Sequence, residues 1–256
     1  MVKYTGMGAR GLNRNENYPA ASVAVLDINL AWATLELVAD DVEDVQILVS
    51  GNEEDVDDLR TSLTDGKLLV EQPAYGLTPR IATTRWMQVV ARLPRSWKGA
   101  VEATTVAGCL RAAAVKGSDV VLATVSGDLS AAGVEAITLR TRTVTGALSV
   151  TETRAEKFTL RTVSGLTRVL RGDFRFLRLN SAASDLDLDL DAPPEKLEAT
   201  TVAGDVRITA PLRTACISLR TATGRLRTGG VSITDEGPVI TASTVSGGLS
   251  VVCKEQ

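Results

Sequence analysis

The feature that most constrains the fold of this chain is a tetrapeptide, Thr-Val-Ser-Gly or a close relative, which recurs eight times in its C-terminal part. Successive copies lie 19, 19, 19, 19, 20, 20 and 23 residues apart. Such regular spacing predicts a solenoid in which each repeat forms one coil, or rung, of the chain. The fifth copy is degenerate and ends in Ser184, and the other seven end in Gly108, Gly127, Gly146, Gly165, Gly204, Gly224 and Gly247.

Positions counted back from each glycine alternate with the period of two that is typical of strands. The residue seven places before the glycine is apolar in every copy, from Val101 to Ile240, so we expect it in the interior. The residue three places before is also expected to face inward, where a β-branched side chain packs at a corner and bonds the neighbouring backbone. The alternative is a ladder of hydroxyls that contacts a ligand. Apart from Ser181, this position holds Thr105, Thr124, Thr143, Thr162, Thr201, Thr221 and Thr244.

The position two residues before the glycine and the leucine-rich position two after it are both interpreted as inward. The inward side then changes between threonine and valine, and glycine fits the resulting corner because it has no Cβ. The position two residues before the glycine is occupied by Val106, Val125, Val144, Val163, Ala182, Val202, Ala222 and Val245. We therefore predict an all-β fold, a right-handed β-helix (β-solenoid) with rungs of 19 to 20 residues and parallel strands roughly 4.8 Å apart.

The chain is predicted to form one continuous solenoid domain, with β-helix repeats at 101–256 and N-terminal strands, a short helix and a cap at 20–100. Residues 1–19 are expected to be a flexible tail. The strands of 22–50 are expected to lie outside the register of the repeat. A helix is predicted from Asn52 to Leu63, with Asn52 as its N-cap. It would cover the open end of the stack and prevent edge pairing.

Composition excludes several classes of function. The chain has no histidine, which removes Ser–His and Cys–His nucleophile pairs and histidine-containing metal sites. Its formal net charge is −3, which argues against nucleic-acid binding. The three cysteines are too far apart in sequence for a redox or zinc motif. We expect no cofactor and no membrane span, and a cytoplasmic location for the chain as written, or the cell envelope if a leader has been removed.

The repeats carry a family resemblance. Short alternating strands, the segment Arg92-Leu93-Pro94, and reiterated Thr-Val-Ser-Gly units with leucine two positions later resemble the bacterial putative-adhesin family of β-strand repeat proteins, a domain of unknown function. The resemblance covers about residues 22–252. It implies a single-stranded right-handed β-helix and adhesion or association with the cell envelope, and it supplies no catalytic residues.

Outward arginines form one candidate binding site. They lie four residues before the glycine in Arg142, Arg161 and Arg220, and six before it in Arg140 and Arg178. Stacked rungs would align them in a broken basic stripe. Such a stripe would suit an anionic glycan, a phospholipid headgroup or an acidic protein surface. The alternative is a solubilising face that acidic residues balance.

Four acidic residues, Asp185, Asp187, Asp189 and Asp191, alternate with leucine on one strand. Carboxylates on a straight strand diverge, whereas Ca²⁺ requires six to eight oxygens around one point, so a solvated outer face is favoured. A cation site and a pair of catalytic carboxylates are the alternatives.

These observations favour a non-enzymatic β-solenoid that serves as a scaffold or adhesin-like binding module. A carbohydrate-active β-helix enzyme, a lyase or hydrolase using aspartate carboxylates, is the alternative function. It is disfavoured by the absence of histidine and the scarcity of aromatic residues for sugar stacking. Expected partners are a protein or an anionic glycan or envelope surface, and a further copy of the chain through the solenoid ends.

Overall fold

The computed structural model describes residues 3–4, 12–73 and 86–254, and within them the fold is all-β with one short α-helix, as predicted. The N-terminal part contains β1 (Lys3–Tyr4), β2 (Leu12–Tyr18), a 3-10 turn (Ala20–Ser22), β3 (Val25–Trp32), β4 (Thr34–Asp40), β5 (Val45–Gly51), α1 (Glu53–Asp58), β6 (Arg60–Thr64), β7 (Lys67–Glu71) and β8 (Met87–Pro94).

The repeat region continues the same architecture. Its strands are β9 (Ala100–Ala107), β10 (Leu110–Ala113), β11 (Lys116–Ser126), β12 (Leu129–Ala132), β13 (Glu135–Thr145), β14 (Leu148–Thr151), β15 (Arg154–Ser164), β16 (Thr167–Ala183), β17 (Leu186–Leu190), β18 (Lys196–Ala203) and β19 (Val206–Ala210). The last strands are β20 (Thr214–Thr223), β21 (Leu226–Gly229), β22 (Ser232–Ile233), β23 (Val239–Ser246) and β24 (Leu249–Cys253).

Rungs of the repeat stack in register, as the column analysis predicts. Each central rung has a long strand, a glycine corner, a short strand and a turn. In the long strands, Val120 pairs with Leu139, Leu139 with Phe158 and Phe158 with Leu177, always in parallel. Each of these side chains is at most 3% exposed. One rung cannot bury its own apolar side, so the core is a column shared by all rungs.

The change of side comes later than predicted, between the valine and the glycine. The strand alternates as far as the valine, so the threonine side chains face inward and are mostly buried but the valines face outward, and the residue directly before the glycine is exposed in most copies as well. The interpretation of the valine position as interior is therefore wrong. Val106, Val125, Val163, Val202 and Val245 are 42 to 57% exposed. We call this line of outward side chains the valine row.

Glycine is required at the corner formed by Gly127 for two reasons. At Gly127 the backbone φ is +141°, which L side chains rarely adopt. A Cβ on Gly127 would also lie within 2.7 Å of the Gly108 carbonyl carbon and closer still to its oxygen. The backbone of the neighbouring rung thus occupies the space that a side chain on Gly127 would need. The two rungs can stack at strand spacing only because that side chain is absent.

The N-terminal strands share the register of the repeat, contrary to expectation. Leu26 of β3 pairs with Val101, and Leu35 of β4 pairs with Leu110. Ala33 takes the corner position, where its carbonyl oxygen accepts the Thr105 hydroxyl at 3.3 Å. Alanine in place of glycine removes the motif from the sequence but keeps the corner, so the first rung is not recognisable by its tetrapeptide.

The spatial order of the rungs differs from the chain order at both ends. β7 and β8 pair with the outer edges of β3 and β4, whereas β9 and β10 pair with their inner edges. At the other end, β23 lies between β18 and β20, and β24 lies between β19 and β21. The last rung of the chain is therefore inserted between the two rungs that precede it.

A cap of antiparallel strands and α1 covers the N-terminal end. The helix ends at Asp58, earlier than predicted, because β6 begins at Arg60 and pairs antiparallel with β7. Residues 12–18, part of the expected flexible tail, form β2 and pair antiparallel with β5. The C-terminal end has no such cover within the described residues, and the interior side chains Leu219 and Leu226 are only half-buried.

A polar cluster joins β2 to the rest of the cap. Arg14 Nε donates to Glu16 Oε1 at 2.7 Å, Arg14 also donates to the Leu59 carbonyl at 2.6 Å, and the Tyr18 hydroxyl donates to Glu16 Oε2 at 2.6 Å. Burial and then the hydrogen bond to Glu16 raise the pKa of Tyr18 to about 12. Burial alone would raise the pKa of Glu16, but hydrogen bonds from Tyr18 and Arg14 help to hold it below its usual range.

This cluster predicts a loss of stability in alkali. The folded pKa of Tyr18 lies above its ordinary value of 10.0, so its stabilising contribution is complete below pH 10 and is lost as the pH rises towards about 12. We expect the free energy of unfolding, measured by urea denaturation, to fall over this interval. The fall should be shallower in Tyr18→Phe, and an identical slope in that variant would contradict the assignment.

Candidate functional site

The outer face of β11, β13 and β15 carries a concavity of about 560 Å³. Its lining includes Arg140, Arg142, Arg161 and Arg178, and Glu102 is the only carboxylate among the lining residues. We call this surface the arginine concavity. It lies on the long-strand face, where side chains four and six residues before each glycine point outward.

Arg142 and Arg161 are the central pair of this surface. Their Cα atoms are partners in the parallel pairing of β13 with β15, so their strands are roughly 4.8 Å apart. Both side chains are exposed. In the described part of the chain, neither guanidinium has a carboxylate within ion-pair distance. This pair therefore presents unneutralised positive charge. Like charges directly opposite one another also destabilise a sheet.

Stacked charges elsewhere on the solenoid alternate in sign. Lys116, Glu135, Arg154 and Asp173 are successive register partners on β11, β13, β15 and β16. Lys116 Nζ lies 3.0 Å from Glu135 Oε2, and Arg154 Nε lies 2.8 Å from Asp173 Oδ2. The solenoid therefore neutralises its charges by stacking in one row and stacks two like charges in the row at Arg142 and Arg161.

The other predicted arginines have different surroundings. Arg178 donates to Glu198 Oε2 at 3.1 and 2.8 Å, and Arg140 lies 3.6 Å from Asp119. Lys196 and then Arg178 hold the pKa of Glu198 below its usual value. Arg220 pairs in register with Ser243 in the terminal rung and does not line the concavity. The structure therefore brings together four of the five arginines, two of them already paired with acids.

The valine row borders the arginine pair. Val125 and Val144 line the concavity beside Arg142 and Arg161, two residues further along the strands. The sequence interpretation missed these valines because it placed them inside. Plain strand alternation from the buried threonines would have found them, since residues one apart on a strand face opposite sides. The surface thus joins cations to an apolar margin.

The acidic residues between 185 and 191 contact neighbouring protein groups. Asp187 and Asp189 are half-buried on the outer side of β17, and Lys254 Nζ lies 2.7 Å from Asp189 Oδ1 and 3.0 Å from Asp191 Oδ1. Asp189 first, and then Asp191, raises the pKa of Lys254. Asp185 accepts the backbone N–H of Asp205 at 2.9 Å. Across 12–73 and 86–254, no group of three or more acidic or cysteine side chains has a metal-binding arrangement.

Some hydroxyls of the threonine ladder bond to the backbone of neighbouring rungs, whereas those of Thr143, Thr162 and Thr244 are buried with no hydrogen-bond partner among the described residues. Thr105, Thr124 and Thr221 donate to carbonyls of corner residues in adjacent rungs, the last two at 3.4 Å to Gly108 and Gly247. All three cysteines are free thiols. Within the ranges that the structure describes, no helix has the length and apolar character needed to cross a membrane.

Comparison with known proteins is consistent with this architecture. The Toastrack DUF4097 family model matches residues 23–234. A putative lipid-binding protein from Parabacteroides distasonis has a TM-score of 0.66 at 14% identity, covering 96% of this chain and 97% of its own. A search of curated proteins finds no match.

Two putative adhesins share the fold at similar distance. One, from Parabacteroides distasonis, has a TM-score of 0.56 at 13% identity, with 92% of this chain and 96% of its own covered. The other, from Bacteroides fragilis, has a TM-score of 0.52 at 12% identity, with 93% and 96% covered. These findings confirm the resemblance to the putative-adhesin repeat proteins.

Proposed function

The chain belongs to the Toastrack DUF4097 family, and from that premise we propose that it is a non-enzymatic β-solenoid binding scaffold whose arginine concavity holds an anionic amphiphile. The ligand class is a molecule with a phosphate or carboxylate head and an apolar chain. The head is placed over Arg142 and Arg161, and the chain lies across Val125 and Val144. The observation that carries the proposal is the stacked pair of like charges without an acidic partner.

The energetic argument begins with that pair. Two guanidinium groups on adjacent strands repel each other, and an anion bound to both replaces the repulsion with charge-assisted hydrogen bonds. Arginine suits this role because its planar fork binds oxyanions in a bidentate manner. The partners of Arg140 and Arg178 leave those two residues less available, so they define the edge of the anion site.

The apolar part of the ligand follows from the valine row. Val125 is exposed and Val144 is half-buried on this sheet face, and an alkyl chain laid along them removes apolar surface from water. A structural neighbour is described as a putative lipid-binding protein, but likeness at 14% identity extends only to the fold. The proposal therefore depends on the arginines and valines of this chain.

We also infer that the coil winds right-handed, as nearly all parallel crossovers do. Association of copies through the solenoid ends stays a prediction, and the half-buried interior side chains of the terminal rung support it.

The test is calorimetric titration with dodecyl phosphate below its critical micelle concentration. Inorganic phosphate supplies the head alone, and dodecyl maltoside supplies the chain with a neutral head. We expect dodecyl phosphate to bind at least about tenfold more tightly than either, because only it uses both cations and apolar surface. Equal binding of dodecyl maltoside would overturn the anionic part of the proposal.

Matched variants locate the site. Because each charge-assisted contact contributes about 1.5 to 3 kcal/mol, R142Q/R161Q should weaken binding of dodecyl phosphate by at least about tenfold. Arg178→Gln is the control, since its guanidinium is already held by Glu198, and it should change affinity by less than about threefold. An equal loss in both variants would indicate unspecific attraction by net charge and contradict the assignment.

A further inference from the structure

The inserted last rung creates a second basic surface at the C-terminal end. Ser250 of β24 is the Cα partner of Arg207 on one side and of Arg227 on the other. The two arginines therefore occupy equivalent positions two strand spacings apart, roughly 9.6 Å. In chain order their rungs are consecutive, so without the insertion they would stack directly at half that distance.

The surroundings of Ser250 form an open slot of about 460 Å³. We define the terminal slot by Arg207, Arg225, Arg227 and Ser250, which are among its lining residues. All three arginines are exposed, while Ser250 is half-buried at the floor between two of them. Their spacing leaves room for a small group above the serine hydroxyl, with a guanidinium on each side.

Charge in the terminal slot is not balanced by the protein. Asp205 is the one carboxylate among the lining residues, and its Oδ1 accepts the Gly248 backbone N–H at 2.7 Å. Asp187 is the register partner of Arg207 on the far side from Ser250 and does not line the slot. No arginine of the slot forms an ion pair with any acid that the structure describes. Three cations thus face one acid that is already hydrogen-bonded.

We propose that the terminal slot binds a tetrahedral oxyanion, the sulfate or phosphate monoester group of an acidic ligand, held between Arg207 and Arg227 with the Ser250 hydroxyl as a further donor. The strands of Arg207 and Arg227 each lie roughly 4.8 Å from the strand of Ser250. From that distance each guanidinium can reach an oxyanion bound above Ser250. The site is separate from the arginine concavity and does not depend on the function proposed for it.

The geometry gives the anion a structural effect as well. It contacts β19, β24 and β21, and therefore holds the uncovered terminal rung to the two rungs beneath it. A ligand that binds only the ordered form of this rung stabilises it against local opening by mass action. Binding at the terminal slot should consequently slow amide exchange in β21 and leave exchange in β4 unchanged.

The experiment titrates the protein with glucose 6-sulfate and, separately, with glucose 6-phosphate, and follows the amide resonances of Gly248 and Ser250 by NMR. We expect saturable shifts with at least one of the two esters, and the tighter ester identifies the source chemistry. Glucose at the same concentrations should produce none. Absence of saturation with both esters would overturn the proposal.

Variants separate a built site from unspecific attraction. R207Q/R227Q should weaken ester binding by at least about tenfold, and Ser250→Ala by a few-fold, with the fold monitored by circular dichroism. Arg111→Gln is the matched control, because Arg111 holds the same position three residues after its corner glycine but pairs in register with Glu36. Equal losses of ester affinity in R111Q and R207Q/R227Q would refute a specific slot. The slot would also be refuted if the ester still slowed amide exchange in β21 of R207Q/R227Q.

Discussion

Replacing Gly127 by alanine is expected to lower the free energy of unfolding by about 3 to 5 kcal/mol, combining a strained backbone with an overpacked contact. The new Cβ would be placed against the Gly108 backbone of the next rung at a φ of +141°. Neither the Gly127 corner nor the Gly108 corner can move away, because the backbone of each is held in the parallel ladder. Urea denaturation followed by far-ultraviolet circular dichroism measures the loss.

Two other glycines provide matched controls for this substitution. Gly133 has a φ of +63° but no atom closer than 3.6 Å to its added Cβ, so Gly133→Ala should cost only about 1 kcal/mol for the left-handed backbone. Gly229 has neither feature, with its nearest contact at 3.6 Å, and Gly229→Ala should stay within about 0.5 kcal/mol of the wild type. If Gly127→Ala cost no more than Gly133→Ala, the close approach between corners would not limit the stack.

Truncating Leu160 to alanine should destabilise the protein by about 3 to 4 kcal/mol, since it leaves a cavity in the fully enclosed column of a central rung. Leu160 is 0% exposed and lies five residues before its glycine. Leu219 holds the same position in the terminal rung, with Ala242 as its register partner on one side. Because it is only half-buried, Leu219→Ala should cost about 1 kcal/mol.

Calorimetry and urea denaturation of the two leucine variants compare the same substitution at the same repeat position, once in a central rung and once in the terminal rung. Val163→Ala serves as a surface reference, because Val163 is 48% exposed in the valine row, and it should change stability by less than about 0.5 kcal/mol. Equal losses for Leu160→Ala and Leu219→Ala would mean that the terminal rung is as well covered as the centre, which would contradict an uncapped end.

The sequence predicts the rung but not the order of the rungs. The register of Leu139, Phe158 and Leu177 follows from apolar residues at a fixed period, and the structure confirms it. The order of the rungs depends on which of two similar strand edges each rung pairs with. Because every rung has the same pattern of inward residues, the sequence does not distinguish between these edges. The longer spacing of 23 residues before Gly247 is the only sequence sign of the inserted rung.

Local errors have identifiable physical causes. The apolar character of valine two residues before the glycine favours an interior position, whereas alternation within the strand places it outside. The first rung is not recognisable in the sequence because Ala33 holds the corner position beside Gly108 without the glycine and the positive φ of most later corners. Spacing alone predicts the arginine stripe, but which arginines have acidic partners depends on neighbours such as Glu198, one rung of 20 residues away.

The inserted rung also constrains how the protein is made. During synthesis β20 and β21 emerge from the ribosome before β23 and β24, when the edge of β18 and β19 is still unpaired. In the folded protein that edge pairs with β23 and β24. Assembly of this end in order of synthesis would leave the wrong neighbours in contact. Correct closure must wait until residues up to Cys253 have left the exit tunnel, so the C-terminal rungs close after the central rungs, which are free to assemble earlier in synthesis.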